Sequence, residues 1–107
     1  MKRYKLSQFT KGWFMGAFQP TIFYTNAFEV AIKYHTAGEN YPAHKQRIAT
    51  EYNVLISGEM SIGKEAFKPN DIFVIPPGEV AKPVFQSDCI VVCVKVPSIA
   101  SDRVVTE

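Results

Sequence analysis

Apolar and polar side chains alternate along several short stretches of the chain, and this alternation predicts strands. Residues at i and i+2 of a strand share a face, so a strand over 28–35 has one mostly apolar face and one mostly polar face. The two faces carry Phe28, Val30, Ile32 and Tyr34 against Glu29, Ala31, Lys33 and His35. Similar runs predict further strands over 21–25, 48–57, 72–75, 82–86 and 89–96.

Turn signals separate these stretches and keep the strands close together in sequence. The segment 36–43 contains Gly, Asn and Pro and is predicted to be a loop. A short hairpin is predicted around 62–64, and turns are predicted over 68–71 and 76–79, where Pro, Asn and Gly occupy typical turn positions. Because no convincing amphipathic helix lies between the strands, their spacing predicts an all-β sandwich or barrel.

Length and composition indicate a single domain over residues 1–107. The chain has 107 residues, of which 47% are hydrophobic, and its net charge is +2. The densest basic group, Lys2, Arg3 and Lys5, is more typical of a solvated terminus than of a nucleic-acid site. The sequence has neither an apolar run of membrane-spanning length nor the apolar core of a signal peptide. We therefore expect a cytoplasmic protein whose partners include neither nucleic acid nor membrane.

Both cysteines, Cys89 and Cys93, fall within the predicted strand 89–96. Four residues of a strand span about 13 Å, which is too far for a disulfide between them. We expect buried, reduced thiols, as is usual in a reducing compartment.

Two motifs follow each other in the middle of the chain. The first reads Gly38, five residues, His44, Lys45, Gln46, four residues, Glu51, six residues and Gly58. It resembles the first motif of the cupin superfamily, G-x5-H-x-H-x4-E-x6-G, with Gln46 in place of the second histidine. The second reads Asn70, five residues, Pro76, Pro77 and Gly78. It resembles the second cupin motif, G-x5-P-x-G-x2-H-x3-N, whose histidine and asparagine fall here on Ala81 and Phe85.

The resemblance implies a cupin-type jelly-roll barrel of two antiparallel sheets with a pocket inside. We assign residues 28–97 to this barrel, 1–27 to an N-terminal arm with edge strands, and 98–107 to a C-terminal tail.

Metal cupins hold iron, manganese, nickel or zinc with three imidazoles and one carboxylate, and the resemblance carries only part of that set to this chain. His44 and Glu51 match ligand positions, Gln46 offers an amide, and Ala81 offers no ligand. These donors fall short of a two-histidine, one-carboxylate site. We therefore expect no cofactor. A divalent transition metal on His44, Gln46 and Glu51, with Glu79 or His35 filling a vacancy, is the alternative.

The same three residues, His44, Gln46 and Glu51, are the candidate ligand-binding residues, and no catalytic residue can be assigned. A nearby Glu51 is expected to raise the pKa of His44 and make it a proton carrier near neutral pH. Alternatively, His44 is a structural histidine, and Glu51 pairs with Arg47 or Lys45.

Three functions stay open. The first is binding of a small molecule, such as a sugar or an organic acid, in a barrel with an incomplete metal site. The second is a metal-independent enzyme like the sugar-nucleotide epimerases and ketoisomerases that share this barrel. The third is a metal-dependent dioxygenase or isomerase with a reduced ligand set. Fold alone does not decide between them.

The N-terminal segment is rich in aromatic residues, namely Trp13, Phe14, Phe18, Phe23 and Tyr24. Core or dimer packing is the preferred interpretation, and a stacking platform for a ring-shaped ligand is the alternative. Because a barrel of this size has a limited core, we expect a homodimer that covers a sheet edge and these aromatic residues.

Overall fold

The structure, a computed structural model, describes residues 1–107 and contains ten strands preceded by two short 3₁₀ turns, Leu6–Gln8 and Thr10–Gly12. No helix in it has the length and apolar character needed to cross a membrane. The strands are β1 (Trp13–Met15), β2 (Glu29–His35), β3 (His44–Gln46), β4 (Thr50–Ser57), β5 (Met60–Ile62), β6 (Glu65–Phe67), β7 (Ile72–Ile75), β8 (Pro83–Phe85), β9 (Cys89–Val96) and β10 (Arg103–Val105).

The strands form an antiparallel barrel-like sandwich, as the cupin resemblance implied. One sheet has five strands in the order β1-β2-β9-β4-β7. The other side of the barrel consists of the pair β10-β3 and the three-stranded sheet β6-β5-β8. A bridge between His44 and Ala81 joins these two smaller sheets. The all-β jelly-roll prediction is therefore confirmed.

The long strands of the five-stranded sheet turn their polar residues towards the interior. In β2 the face containing Glu29, Lys33 and His35 points inward. The neighbouring strand β9 turns Cys93 and Lys95 to the same side of the sheet. Apart from Thr50, the outward positions of β2, β4, β7 and β9 are apolar, and they are half-buried or exposed. These outward residues are Val30, Ile32, Tyr34, Tyr52, Val54, Ile56, Ile72, Val74, Ile90, Val92, Val94 and Val96.

The hydrophobic core is small and fills one end of the barrel. Five buried residues form it, and four partly buried aromatic or aliphatic side chains pack against them. The buried set is Leu55, Met60, Phe85, Cys89 and Val91. Both cysteines are buried and free, as expected. The remainder of the interior contains buried polar residues, such as His44, Glu51 and Asn53, beside further apolar ones.

Several predicted elements differ from the observed ones. Residues 21–25 do not form a strand, although the Ile22 and Thr25 amides donate to carbonyls of Phe14 and Gly16. The hydroxyl of Thr21 bonds nearby backbone carbonyls, which supports a bent segment instead of a ladder. Residues 98–107, predicted to be a tail, contain β10.

Asp102 anchors this C-terminal segment to the rest of the barrel. Its buried carboxylate accepts hydrogen bonds from the amides of Ile48 and Ala49, both at 2.9 Å, and its carbonyl accepts the Arg47 amide. Charge-assisted bonds of this kind are stronger than neutral ones. The turn between β3 and β4 is thus held by one side chain, and β10 is placed beside β3.

Backbone geometry explains two motif positions. Gly58 has φ +92°, and a Cβ added there would lie 2.2 Å from the Asp88 carbonyl oxygen. Asn70, at the position of a motif glycine, has φ 78°, a left-handed conformation that Asn tolerates better than most residues. The motif therefore keeps its turn geometry despite this replacement.

Replacing Gly58 by Ala should lower the free energy of unfolding by about 3 kcal/mol, because left-handed strain and a backbone clash act together. Gly63→Ala is the matched control, since Gly63 also has a positive φ but has nothing within 4 Å of an added Cβ. The control should cost only about 1 kcal/mol. Urea unfolding measures both values. Equal losses for the two variants would contradict the packing argument.

Candidate functional site

The barrel encloses a cavity of about 470 Å³ between the five-stranded sheet and the β3 side. His44 and Glu51 both line it, together with Asn53. The first motif therefore brings an imidazole and a carboxylate to one space. Both side chains are largely buried, with exposed fractions of 7% for His44 and 8% for Glu51.

His44 is held in one orientation by the loop before β3. Its Nδ1 lies 3.2 Å from the Pro42 carbonyl oxygen, which can only accept a hydrogen bond, so Nδ1 carries the proton. In the neutral ring, Nε2 is then an acceptor. Burial lowers the pKa of His44, and this effect outweighs the opposing influence of Glu51. Glu51 thus raises this pKa as predicted, but burial keeps it below its usual value, so the imidazole is neutral at physiological pH.

Glu51 faces a thiol instead of a basic partner. Cys93 Sγ donates to Glu51 Oε1 at 3.6 Å, and burial together with this carboxylate holds the pKa of Cys93 well above its usual range. The ion pairs of the structure are His35–Glu39 and Lys82–Glu107, so the alternative pairing of Glu51 with Arg47 or Lys45 is not formed. The carboxylate is free to contact a ligand.

Gln46 is buried but lines a different, smaller cavity of about 230 Å³ near Ser98 and Asp102. Both polar atoms of its amide are buried and have no hydrogen-bond partner. Gln46 thus points into the protein beside this smaller cavity, whose lining shares Lys95 and Arg103 with the larger one that His44 and Glu51 line.

The donor atoms around the cavity do not match the set of metal ligands that the cupin resemblance implies. No group of three His, Cys, Asp or Glu side chains is arranged to hold a metal ion. Ala81 pairs directly with His44 through two backbone hydrogen bonds, at 3.0 and 2.8 Å, and contributes only a methyl group. His35 lines the cavity, but Glu79 does not. The residues present therefore supply fewer donors than a cupin metal centre uses.

His35 occupies the cavity wall as an aromatic surface. Its ring stacks on Phe85 with a centroid distance of 4.0 Å, and Nδ1 lies 3.3 Å from Glu39 Oε2. Burial lowers the pKa of His35 in spite of that carboxylate. The cavity is thus lined by two neutral imidazoles.

Four cationic side chains line the same cavity, and the motifs did not indicate them. They are Lys11, Lys33, Lys95 and Arg103. The only acidic lining residue is Glu51. With both histidines neutral, the lining carries an excess of three positive charges. The alternation in 28–35 placed Lys33 beside His35 on one face, but it did not show that this face points inward.

The ring of Trp13 contacts two of these cations. Its ring lies 4.8 Å from Lys95 Nζ and 5.3 Å from Lys33 Nζ, distances typical of cation–π contacts. Of the N-terminal aromatic residues, Trp13 is the one that lines this cavity, whereas Phe23 and Tyr24 are exposed. Arg103, from β10, lies 5.5 Å from the Tyr41 ring.

No family model matches the sequence, and no curated protein matches it. Similarity to known proteins is therefore found only by comparison with solved structures. A double-stranded β-helix protein from Klebsiella pneumoniae is 24% identical, with a TM-score of 0.67 over 78% of this chain and 77% of that one. An RmlC-like cupin from Shewanella frigidimarina is 15% identical, with a TM-score of 0.63 over 71% of both chains.

Oxalate oxidase in complex with the substrate analogue glycolate is 18% identical, with a TM-score of 0.64 over 75% of this chain and 46% of that one. These likenesses agree with the order and spacing of the two sequence motifs. By these likenesses, this chain has the double-stranded β-helix fold of cupin proteins.

Proposed function

We propose that the barrel binds a small organic acid, with the ligand's carboxylate among the cations of the cavity. The observation that carries this proposal is the lining itself, in which Lys11, Lys33, Lys95 and Arg103 oppose the single carboxylate of Glu51. A carboxylate ligand supplies the negative charge that the protein does not.

Lys95 makes the argument strongest, because it is the most buried of the four cations. Its exposed fraction is 9%, and it belongs to neither ion pair of the structure. The nearest cross-strand carboxylates have other partners: Glu29 accepts the Ser98 hydroxyl at 3.0 Å, and Glu51 accepts the Cys93 thiol. Removing an unpaired ammonium from water costs on the order of several kcal/mol. An anion at this point offsets that cost.

The cavity also has the other properties of a small-ligand site. It combines apolar walls, such as Phe73 and Phe85, with the acceptor Nε2 of His44 and the amide of Asn53, whose Nδ2 has no partner in the structure. Glycolate is the substrate analogue bound by oxalate oxidase, which has a similar fold. Between the sugar and the organic acid left open by the sequence, the charge of the lining favours the acid.

A panel of small carboxylic acids should raise the melting temperature and bind in calorimetry, whereas neutral sugars of similar size should not. Lys95→Met should weaken the binding of the best acid by about tenfold or more, because a charge-assisted contact is lost. Lys64→Met, at an exposed hairpin position, is the control and should leave affinity unchanged. Binding of neutral sugars in preference to acids would overturn the proposal.

One observation favours a metal-independent isomerase or epimerase as the second candidate. The Tyr41 ring meets the His44 ring edge to face at 5.4 Å, and burial raises the pKa of Tyr41 so that its phenol stays protonated. A neutral imidazole and a phenol in one cavity form an acid–base pair for proton transfer beside a carbonyl group. Binding of an organic acid, the first candidate function, requires no proton transfer between these two side chains.

We further propose that the metal site is incomplete in the native protein. The purified protein should retain well under one equivalent of iron, manganese, nickel or zinc after dialysis. Gln46→His with Ala81→His should bind more metal and gain thermal stability in its presence, since imidazole is a preferred ligand and ligands stabilise the native state. Gln46→His alone is the control and should gain less, because it adds one imidazole instead of two. Elemental analysis showing a full equivalent in the wild type would contradict this reading.

We also propose that the chain forms a homodimer in the cytoplasm, where its two free cysteines stay reduced. The contact surface is the outward face of the five-stranded sheet, whose positions on β2, β4, β7 and β9 carry no charged residue. Exposed apolar faces of this kind mark interaction surfaces. A second copy supplies an equally apolar and uncharged face, so pairing the two leaves no buried charge.

Light scattering should show a dimer for the wild type and a monomer for Tyr52→Glu, which puts a charge on that face. Ile48→Glu is the control, because Ile48 is exposed and apolar but lies in the turn between β3 and β4. It should remain dimeric. A monomeric wild type at high micromolar concentration would refute the proposal.

A further inference from the structure

Lys33 has surroundings that differ from those of the other cavity cations. Like Lys11, it lines both the barrel cavity and the outer groove beneath the N-terminal turns, but Lys33 is half-buried whereas Lys11 is exposed. The side chain of Lys33 therefore lies between the cavity and the groove, and its Nζ lies 5.3 Å from the ring of Trp13, which also lines the cavity. It belongs to no ion pair of the structure, and its polar neighbours are mostly cationic.

The strand register gives Lys33 and Lys95 different cross-strand neighbours. Lys95 lies opposite Glu29 on β2 and Glu51 on β4, so carboxylates flank it on both neighbouring strands. Lys33 lies opposite Val91 on β9, and no carboxylate takes that place. A lysine beside other cations and away from carboxylates is easier to deprotonate.

The electrostatics agree with this geometry. Burial lowers the pKa of Lys33, and the charges of Lys95, Arg103 and Lys11 lower it further. Cys93 would oppose them only as a thiolate, and burial keeps that thiol protonated. The Trp13 ring favours the ammonium form, but it is shared with Lys95. Desolvation beside another cation is an established way of activating an amine as a nucleophile.

We propose that Lys33 forms an imine with the carbonyl carbon of an oxo acid whose carboxylate is held by Lys95 and Arg103. The ligand class is a carboxylic acid that also carries a ketone or aldehyde group. This inference rests on the proposed binding of organic acids and narrows it to acids with a second, electrophilic group.

The step is balanced without an oxidant or a further reactant. The ammonium of Lys33 loses one proton to water at the open mouth, and the amine attacks the carbonyl carbon, forming a C–N bond while the C=O π pair moves to oxygen. Proton transfer from nitrogen to oxygen gives a carbinolamine. Its hydroxyl takes up the released proton and leaves as water as the nitrogen lone pair forms the C=N bond. Overall, an ammonium and a carbonyl give a protonated imine and one water.

The experiment is trapping of the imine on the full chain. The protein is incubated with pyruvate, acetoacetate or levulinate, whose carbonyl and carboxylate are separated by increasing distances, and with sodium cyanoborohydride. Intact mass spectrometry and peptide mapping then locate the reduced adduct. We expect a single adduct on Lys33, formed with at least one of the three acids and not with acetone, which lacks the carboxylate. Lys33→Arg lacks the nucleophilic amine, so its adduct with the same acid should fall at least about tenfold below that of the wild type, whose binding of the acids is measured separately by calorimetry.

The outcomes separate the two proposals. An adduct spread equally over exposed lysines, or one on Lys95, would overturn the assignment to Lys33, and peptide mapping of the wild type alone detects either result. Lys64→Arg is the control and should form the adduct as the wild type does. Binding of the acids without any trapped adduct would overturn the imine and leave the organic-acid site intact. Absence of both binding and adduct would overturn both proposals.

Discussion

The alternation along β2, β4 and β9 is the constraint on which the other features depend. Each of these strands turns charged or amide side chains inward beside core residues such as Leu55 and Val91, while its outward positions are almost all apolar. The interior is therefore a polar, cationic cavity beside a small hydrophobic core, and the exterior is an apolar surface. The site and the proposed dimer contact are two results of one pattern.

Much of the fold could be predicted from the sequence, because the motifs describe backbone geometry. The spacing from Gly38 to Gly58 fixes a turn, two strands and their connection, and the observed strand 89–96 has the predicted bounds. β10 could not be predicted in the same way. Its three residues form a strand because Asp102 holds the neighbouring turn, and that contact joins residues more than fifty positions apart.

The candidate site was only partly predictable for a different reason. Periodicity shows which residues share a face, but it does not show which face is inward when both faces could be covered. His44 and Glu51 were placed correctly in one cavity by the motif. The cations were missed because a face containing Lys33 reads as solvent-exposed. The charge state of His44 was also missed, because burial depends on the whole barrel and outweighs the single neighbour, Glu51, that the sequence suggested.

The alternation along β2 and β9 also has a consequence for how the chain reaches its native state. A slip of one residue in the pairing of β2 with β9 would turn the valine and isoleucine rows inward and fill the cavity with an ordinary apolar core. Burial of apolar area within one molecule therefore favours a competing register without a binding site. Such a slip would also turn the core residues Cys89 and Val91 of β9 away from Leu55 and Met60.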